Sequence, residues 1–234
     1  YKEANITFVG CSRWLSGKAK KSYLLRDKTV LSIPNPIDTK VYHPMDQGMA
    51  RELLGLPSGK RLLLFGALNV TDKRKGIDYL IEALRRMEKQ DVELVVFGQV
   101  KDDIRGLFPV PIHSMGYLSD ESKIVALYNA VDMFITSSLE ENLPNTIMES
   151  MACGTPCVGF EIGGIPEMID HRVNGYVANY KDAGDLANGI QWVLEHEDRL
   201  ALSDACVKKV QENYTEEVVA KQYTALYEKL LKGE

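Results

Sequence analysis

The sequence predicts an α/β protein, an open parallel sheet with helices on both faces. Apolar, β-branched runs alternate with amphipathic helical patterns along the chain. Strands spaced by helices in this way return to one sheet as parallel βαβ units. The run VELVVF (92–97) is apolar almost throughout, as a strand covered on both faces should be.

In chain order, strand 6–11, helix 13–24 and strand 29–33 form one β-α-β piece, too small for a stable core of its own. It must pack on the rest of the chain or on something outside it. The stretch IPNPIDTKVYHP follows and holds three prolines, which exclude a helix and mark a linker at 34–44. Residues 45–234 then carry strands at 61–66, 93–97, 133–136, 156–160 and 176–177, with a weaker strand at 112–115. Helices fall between them at 76–89, 121–130, 145–152 and 183–195. The helix at 76–89 sets Ile77, Leu80, Ile81 and Leu84 on one stripe. Arg85, Arg86 and Lys89 lie near its C-terminal end, where cations complement the dipole. Two helices at about 198–213 and 216–232 end the chain. The second sets Val219, Tyr223, Leu226, Tyr227 and Leu230 on one face, a stripe that ordinary packing explains.

The 234 residues suit one large domain or two small ones, and 45% apolar content supplies a sizeable core without metals or disulfides. A net charge of −5 argues against a nucleic-acid partner. The basic cluster between Lys18 and Lys28 reads as a solvated face, with an anionic membrane contact as the minority alternative. Cys11, Cys153, Cys157 and Cys206 form no C-x-x-C pair, and the four histidines are scattered, so no metal cofactor is expected. Reduced, mostly buried thiols point to the cytoplasm. No apolar run approaches a membrane span and no signal-peptide pattern opens the chain. The opening YKEANITFVGCS lacks an initiator Met, as a fragment or processed product would.

Ligands of open parallel sheets bind outside the carboxyl ends of the strands, so the loops there hold the candidate chemistry. The strand LLLFG ends at Gly66 and runs into ALNVTDKRKG, where Lys73, Arg74 and Lys75 precede a glycine. Such cations suit a phosphate; the alternative is a solvated basic loop. The loop is not a Walker A sequence, and no G-x-G-x-x-G occurs. Gly98 either lets backbone approach a ligand or permits a turn. Gly116 and Tyr117 lie in MGYLSD, whose backbone could read a flat base; Ser119 or Asp120 there is a fair helix cap. In SSLEENLPNTIMES, Glu141 lies in a turn and Glu149 in the following helix, with the helix N-terminus between them. That N-terminus presents N–H groups to an anion. Asn142 reads as the cap, and Pro144 belongs to the first turn. Glu149 must be exposed or meet a ligand-like donor, because a buried carboxylate without a partner costs several kcal/mol.

With these residues in place, the chain resembles the retaining family 4 glycosyltransferases of GT-B architecture. The resemblance rests on the pair Glu141/Glu149, MACGTPCV (151–158), GGIPEMI (163–169), NGYV after His171, Arg172 and Val173, and the IPNPID linker. It covers nearly the whole chain. It implies one Rossmann-like half of a GT-B enzyme, with 1–33 as the last β-α piece of a missing N-terminal domain and 45–234 binding a nucleotide-diphosphate sugar. Glu141 would contact the donor sugar near the reacting centre and Glu149 the ribose hydroxyls. Backbone at Asn142, Leu143, Pro144 and Asn145 would approach sugar and phosphates. Lys75 would neutralise the departing nucleotide diphosphate, with no divalent metal needed. The acceptor would be a glycan, a lipid-linked sugar or a small molecule. The family usually carries an arginine just after the first-strand glycine, where Ala67 stands here, and Arg74 or Lys73 is the expected substitute. Without the N-terminal domain, the chain should bind donor weakly and transfer no sugar. Rival readings are a GT-B-like epimerase or phosphorylase, a non-catalytic docking domain, and a generic nucleotide-binding module.

Overall fold

The computed structural model describes residues 4–70, 72–87, 91–99 and 105–232. The N-terminal piece is β1 (Thr7–Gly10), α1 (Arg13–Lys21) and β2 (Thr29–Ser32), with β1 and β2 parallel and Thr7 opposite Thr29. Ser12 caps α1, accepting from Leu15 N at 3.0 Å. The helix stops at Lys21, short of the expected 24, because Ser22 turns extended and its hydroxyl accepts from Leu25 N. The linker is extended only at its start; it turns at 39–42, where Tyr42 N donates to Asp38 O at 3.0 Å, and it is also seated. Ile33 and Ile37 are buried, and Ile37 N donates to Tyr214 O at 2.8 Å.

Next come α2 (Gln47–Leu54), β3 (Arg61–Asn69), α3 (Ile77–Arg86), β4 (Val92–Gln99), β5 (Ile112–Gly116) and α4 (Glu121–Ala130). They are followed by β6 (Met133–Thr136), α5 (Asn145–Ala152), β7 (Cys157–Phe160), α6 (Ile165–Met168) and β8 (Gly175–Ala178). The chain closes with α7 (Ala183–Leu194), α8 (Arg199–Asn213) and α9 (Glu216–Leu231). The main sheet is parallel throughout, in the order β5-β4-β3-β6-β7-β8. Strand order therefore reverses between β3 and β6, which opens a crevice at their carboxyl ends.

Both faces of the sheet are covered. Leu62 and Leu64 of β3 pack with Phe134, Ile147, Met148 and Met151, while Leu63 and Phe65 point the other way, to Leu80, Leu84 and Ile190. Alternation along one strand therefore feeds two cores, and this is why the strands read as continuous apolar runs. At the amino ends of the strands, the buried Asp132 accepts from Leu62 N (2.7 Å), Arg51 (3.1 Å) and Arg199 (2.6 Å). That pairing offsets the cost of taking its charge out of water.

Several expected boundaries shift. β3 continues past Gly66 to Asn69 and β4 past Phe97 to Gln99. Gly66 is therefore a strand residue, required because a Cβ there would lie 1.8 Å from the Phe97 ring. Helix α3 ends at Arg86, and Lys89 lies outside the described residues. α2 and the one-turn α6 were not foreseen; α2 is short and turns few apolar side chains inward. On α9, Val219 and Leu226 are buried against Ile33, with Val9 and Tyr223 packed beside them. Tyr227 and Leu230 remain 57% and 44% exposed, so packing within this chain explains only part of that stripe. Cys153, Cys157 and Cys206 are buried and all four thiols are free, as expected. Burial pushes the Cys153 and Cys157 thiols up to about 12. Among the described residues no helix is long and apolar enough to cross a membrane.

Candidate active site

The loops after β3 and β6 meet at the crevice where strand order reverses. Asp72 caps a one-turn 3-10 helix, Lys73–Lys75, and Gly76 follows with φ 63°. A Cβ at Gly76 would lie 2.0 Å from Ser137 O, so only glycine lets the two loops touch. Ser137 Oγ donates to Lys75 O at 3.0 Å, and Leu139 N donates to Arg74 O at 2.7 Å. This seating brings Lys75 Nζ to 2.5 Å from Glu141 Oε1. The two side chains are 32% and 15% exposed, so the ion pair sits partly out of water. Arg74 is committed elsewhere, with Nη2 at 2.7 Å and Nε at 3.2 Å from the Asp72 carboxylate. The Arg74 guanidinium holds the Asp72 carboxyl below its usual range. Lys73 is exposed.

Helix α5 starts at Asn145, with Pro144 as N-cap and no side-chain cap on its first N–H groups. The expectation that Asn142 caps α5 is corrected, as is Pro144 within the first turn. Asn142 Oδ1 instead accepts from Ser12 Oγ at 2.5 Å, and its Nδ2 donates to Cys11 Sγ at 2.9 Å. The side chain is thereby drawn to the N-terminal piece, and the α5 N-terminus stays open to an anion. Leu143 and Pro144 are buried behind it. Glycines 163 and 164 back the loop: a Cβ at Gly163 would lie 1.9 Å from Glu141 O, and Gly164 N donates to Asn142 O at 2.5 Å. The next acidic residue, Glu167 of α6, accepts from Arg13 N (2.9 Å) and Trp14 N (2.8 Å), locking α1 to α6.

Glu149 is half-buried, and its donor comes from within the chain, since Tyr128 donates to Oε2 at 2.8 Å. Burial pushes the Glu149 carboxyl up, the Tyr128 bond opposes that, and Glu121 adds to it. Gly98 has φ 123°, and a Cβ there would lie 1.7 Å from Ala67 O, so close packing against β3 accounts for this glycine. Gly116 has φ 63° with open space around it, and Tyr117 is 60% exposed at the same loop. Asp120 caps α4, accepting from Ser122 N at 3.0 Å.

The profile of the family "Glycosyl transferases group 1" matches residues 59–196, more than half of the chain. The chain belongs to the group 1 glycosyltransferases. It is 24% identical over 214 residues to N-acetyl-alpha-D-glucosaminyl L-malate synthase of Bacillus anthracis, covering 89% of this chain and 56% of that protein. The chain thus spans little more than half the length of that relative. Its fold matches sucrose-phosphate synthase of Thermosynechococcus elongatus (TM-score 0.83, 22% identity, 97% of this chain and 59% of the other). It also matches Anabaena HepE solved in complex with UDP-glucose (TM-score 0.77, 19% identity, 94% of this chain and 63% of the other). The open α/β sheet is thus that of GT-B glycosyltransferase structures.

Sequence reasoning missed three contacts of this chain. Tyr128 holds Glu149, Ser12 holds Asn142, and Gly163 and Gly164 admit the loop that carries Glu141. The glycine pair in GGIPEMI was the readable clue to the last, since adjacent glycines mark close backbone approach. Lys75 and Glu141 come together; Arg74 and Lys73 do not join them; Gly98, Gly116 and Tyr117 lie at the carboxyl ends of β4 and β5.

Proposed function

We propose that this chain is the C-terminal, donor-binding domain of a retaining family 4 enzyme. It binds a nucleotide-diphosphate sugar and, in the whole protein, passes the sugar with retention to a glycan, lipid-linked or small-molecule acceptor. The observation that carries the reading is the Lys75–Glu141 pair at the strand-order reversal, with Glu141 on the loop that leads into the open N-terminus of α5. A diphosphate in that crevice takes over Lys75 as its counter-charge and lies against the α5 N–H groups, which meet the leaving-group charge without a metal. Glu141, released from Lys75, orients the sugar at the reacting carbon. Glu149 receives the ribose hydroxyls, and backbone near Gly98 and Gly116 meets the base. Residues 1–33 belong to the partner domain's last β-α piece, 34–44 to the linker and 45–234 to the donor domain. The site of action is the cytoplasm, with the basic face of α1 available to an anionic membrane.

Thermal shift with UDP, GDP, ADP and their sugar conjugates, on wild type and Glu149→Ala, tests this. A ligand at 100 times its Kd stabilises by roughly 2.7 kcal/mol, or about 5–10 °C. The expected result is a shift for one nucleotide family that the substitution abolishes. Equal shifts for free nucleotide and sugar conjugate would reduce the reading to a nucleotide-binding module.

A further inference from the structure

Tyr128 is the largest fully buried side chain of the core. Its ring lies edge-on to Phe97 of β4 (centroids 6.2 Å, 82°) and to Phe134 of β6 (6.0 Å, 86°). Rings packed this way have little rotational freedom, so the direction of the hydroxyl is set by the core. That hydroxyl donates to Glu149 Oε2. Oε1 accepts no hydrogen bond from a described residue. Among the described residues, the other ionisable groups that interact with the carboxylate are Glu121 from α4, Tyr42 from the linker and Cys153 at the end of α5. None brings a positive charge. No described cation forks across both oxygens, and one neutral donor in a fixed direction engages a single oxygen.

We propose that Tyr128 is a positioning residue for the donor: by holding Oε2 it fixes the Glu149 carboxylate so that Oε1, to which no described residue donates, accepts from the ribose. This rests on the assignment of Glu149 to the ribose. The arrangement works like a sight fixed to the core. Two strands and α4 hold the tyrosine, the tyrosine holds the carboxylate, and the free oxygen thereby keeps one direction. A site built to accept from a hydroxyl discriminates strongly against a ligand lacking it, because the desolvated oxygen is then left unpaired.

Calorimetric titration of wild type, Tyr128→Phe, Glu149→Ala and the double variant tests this. The probes are the nucleoside diphosphate that wild type prefers among UDP, GDP and ADP, its 2′-deoxy and 3′-deoxy forms, and inorganic pyrophosphate. Phenylalanine keeps the ring stack. The expected result for Tyr128→Phe is about tenfold weaker binding of the ribonucleotide. Binding of one deoxy form and of pyrophosphate stays as in wild type, so discrimination between ribo and deoxy collapses. In the Glu149→Ala background the tyrosine substitution adds nothing. An unchanged ribo-to-deoxy ratio in Tyr128→Phe, whatever its Tm, overturns the proposal, as does an equal loss for pyrophosphate. A wild type that binds ribo and deoxy forms equally overturns the ribose assignment itself, and the proposal with it.

Discussion

Lys75 Nζ and Glu141 Oε1 lie 2.5 Å apart across the point where strand order reverses, one on the loop after β3 and the other on the loop after β6. On the proposed reading the two partners compete, because a diphosphate that recruits Lys75 as its counter-charge draws it from Glu141.

Removing the two partners should therefore have opposite effects. Lys75→Ala loses the counter-charge, and affinity for a nucleoside diphosphate should fall about 10- to 100-fold, the worth of a charge-assisted bond. Glu141→Ala frees Lys75, and free nucleoside diphosphate should bind at least as tightly as to wild type, while the added affinity of the sugar conjugate disappears. Isothermal titration of both ligands separates the cases. A large loss of plain nucleotide binding in Glu141→Ala would falsify the competition.

Gly76→Ala puts a methyl group 2.0 Å from Ser137 O at a backbone φ of 63°. The strain should cost about 1–3 kcal/mol in urea unfolding. Because the two loops must part, Lys75 should also lose its contact with Glu141, and nucleotide affinity should fall with stability. A variant that is destabilised but binds as wild type would show that the loop contact does not place Lys75.

Glu149 makes stability depend on pH in a direction that can be stated. Its folded carboxyl is raised above the ordinary 4.5, chiefly by burial. Between the two values the folded state binds more protons than the unfolded state, so ΔG of unfolding falls as pH rises through that window. Glu149→Gln removes this dependence. Its Tm relative to wild type should rise as pH goes from about 4 to 7, while ribonucleotide binding is lost. Equal Tm differences at both ends of the range would contradict the sign.

The N-terminal piece is tied to the site by Ser12–Asn142 and by the Glu167 carboxylate on the first N–H groups of α1. Glu167→Ala should cost about 1 kcal/mol, the usual worth of a helix cap. Hydrogen exchange should speed up in α1 and β2 while the main sheet keeps its protection. Uniform acceleration across the whole chain would show that the two parts unfold as one.

On the proposed reading transfer needs a second domain, so this chain alone should give no labelled product from a radioactive donor with any acceptor. Measurable transfer would place the whole catalytic apparatus within these residues.

The parallel α/β architecture was legible because its signals are local. VELVVF, the stripe Ile77, Leu80, Ile81 and Leu84, and strand 133–136 carry their period within a few residues, and each became the expected element. Glu141, Glu149 and Lys75 were singled out for a related reason, since they stand in runs where turn, helix start and charge follow one another directly. Asn142 was misread because capping is also a local rule, and here a distant partner outbid it: Ser12 lies 130 residues away. The Lys75–Glu141 and Tyr128–Glu149 contacts span 66 and 21 residues. Which of these side chains meet depends on strand order and on close backbone approaches at Gly76, Gly163 and Gly164. By itself the sequence determined the layers and the chemical groups available at the strand ends. The tertiary structure decided which groups pair, because pairing across a crevice is set by how whole loops pack and not by the propensities of their residues.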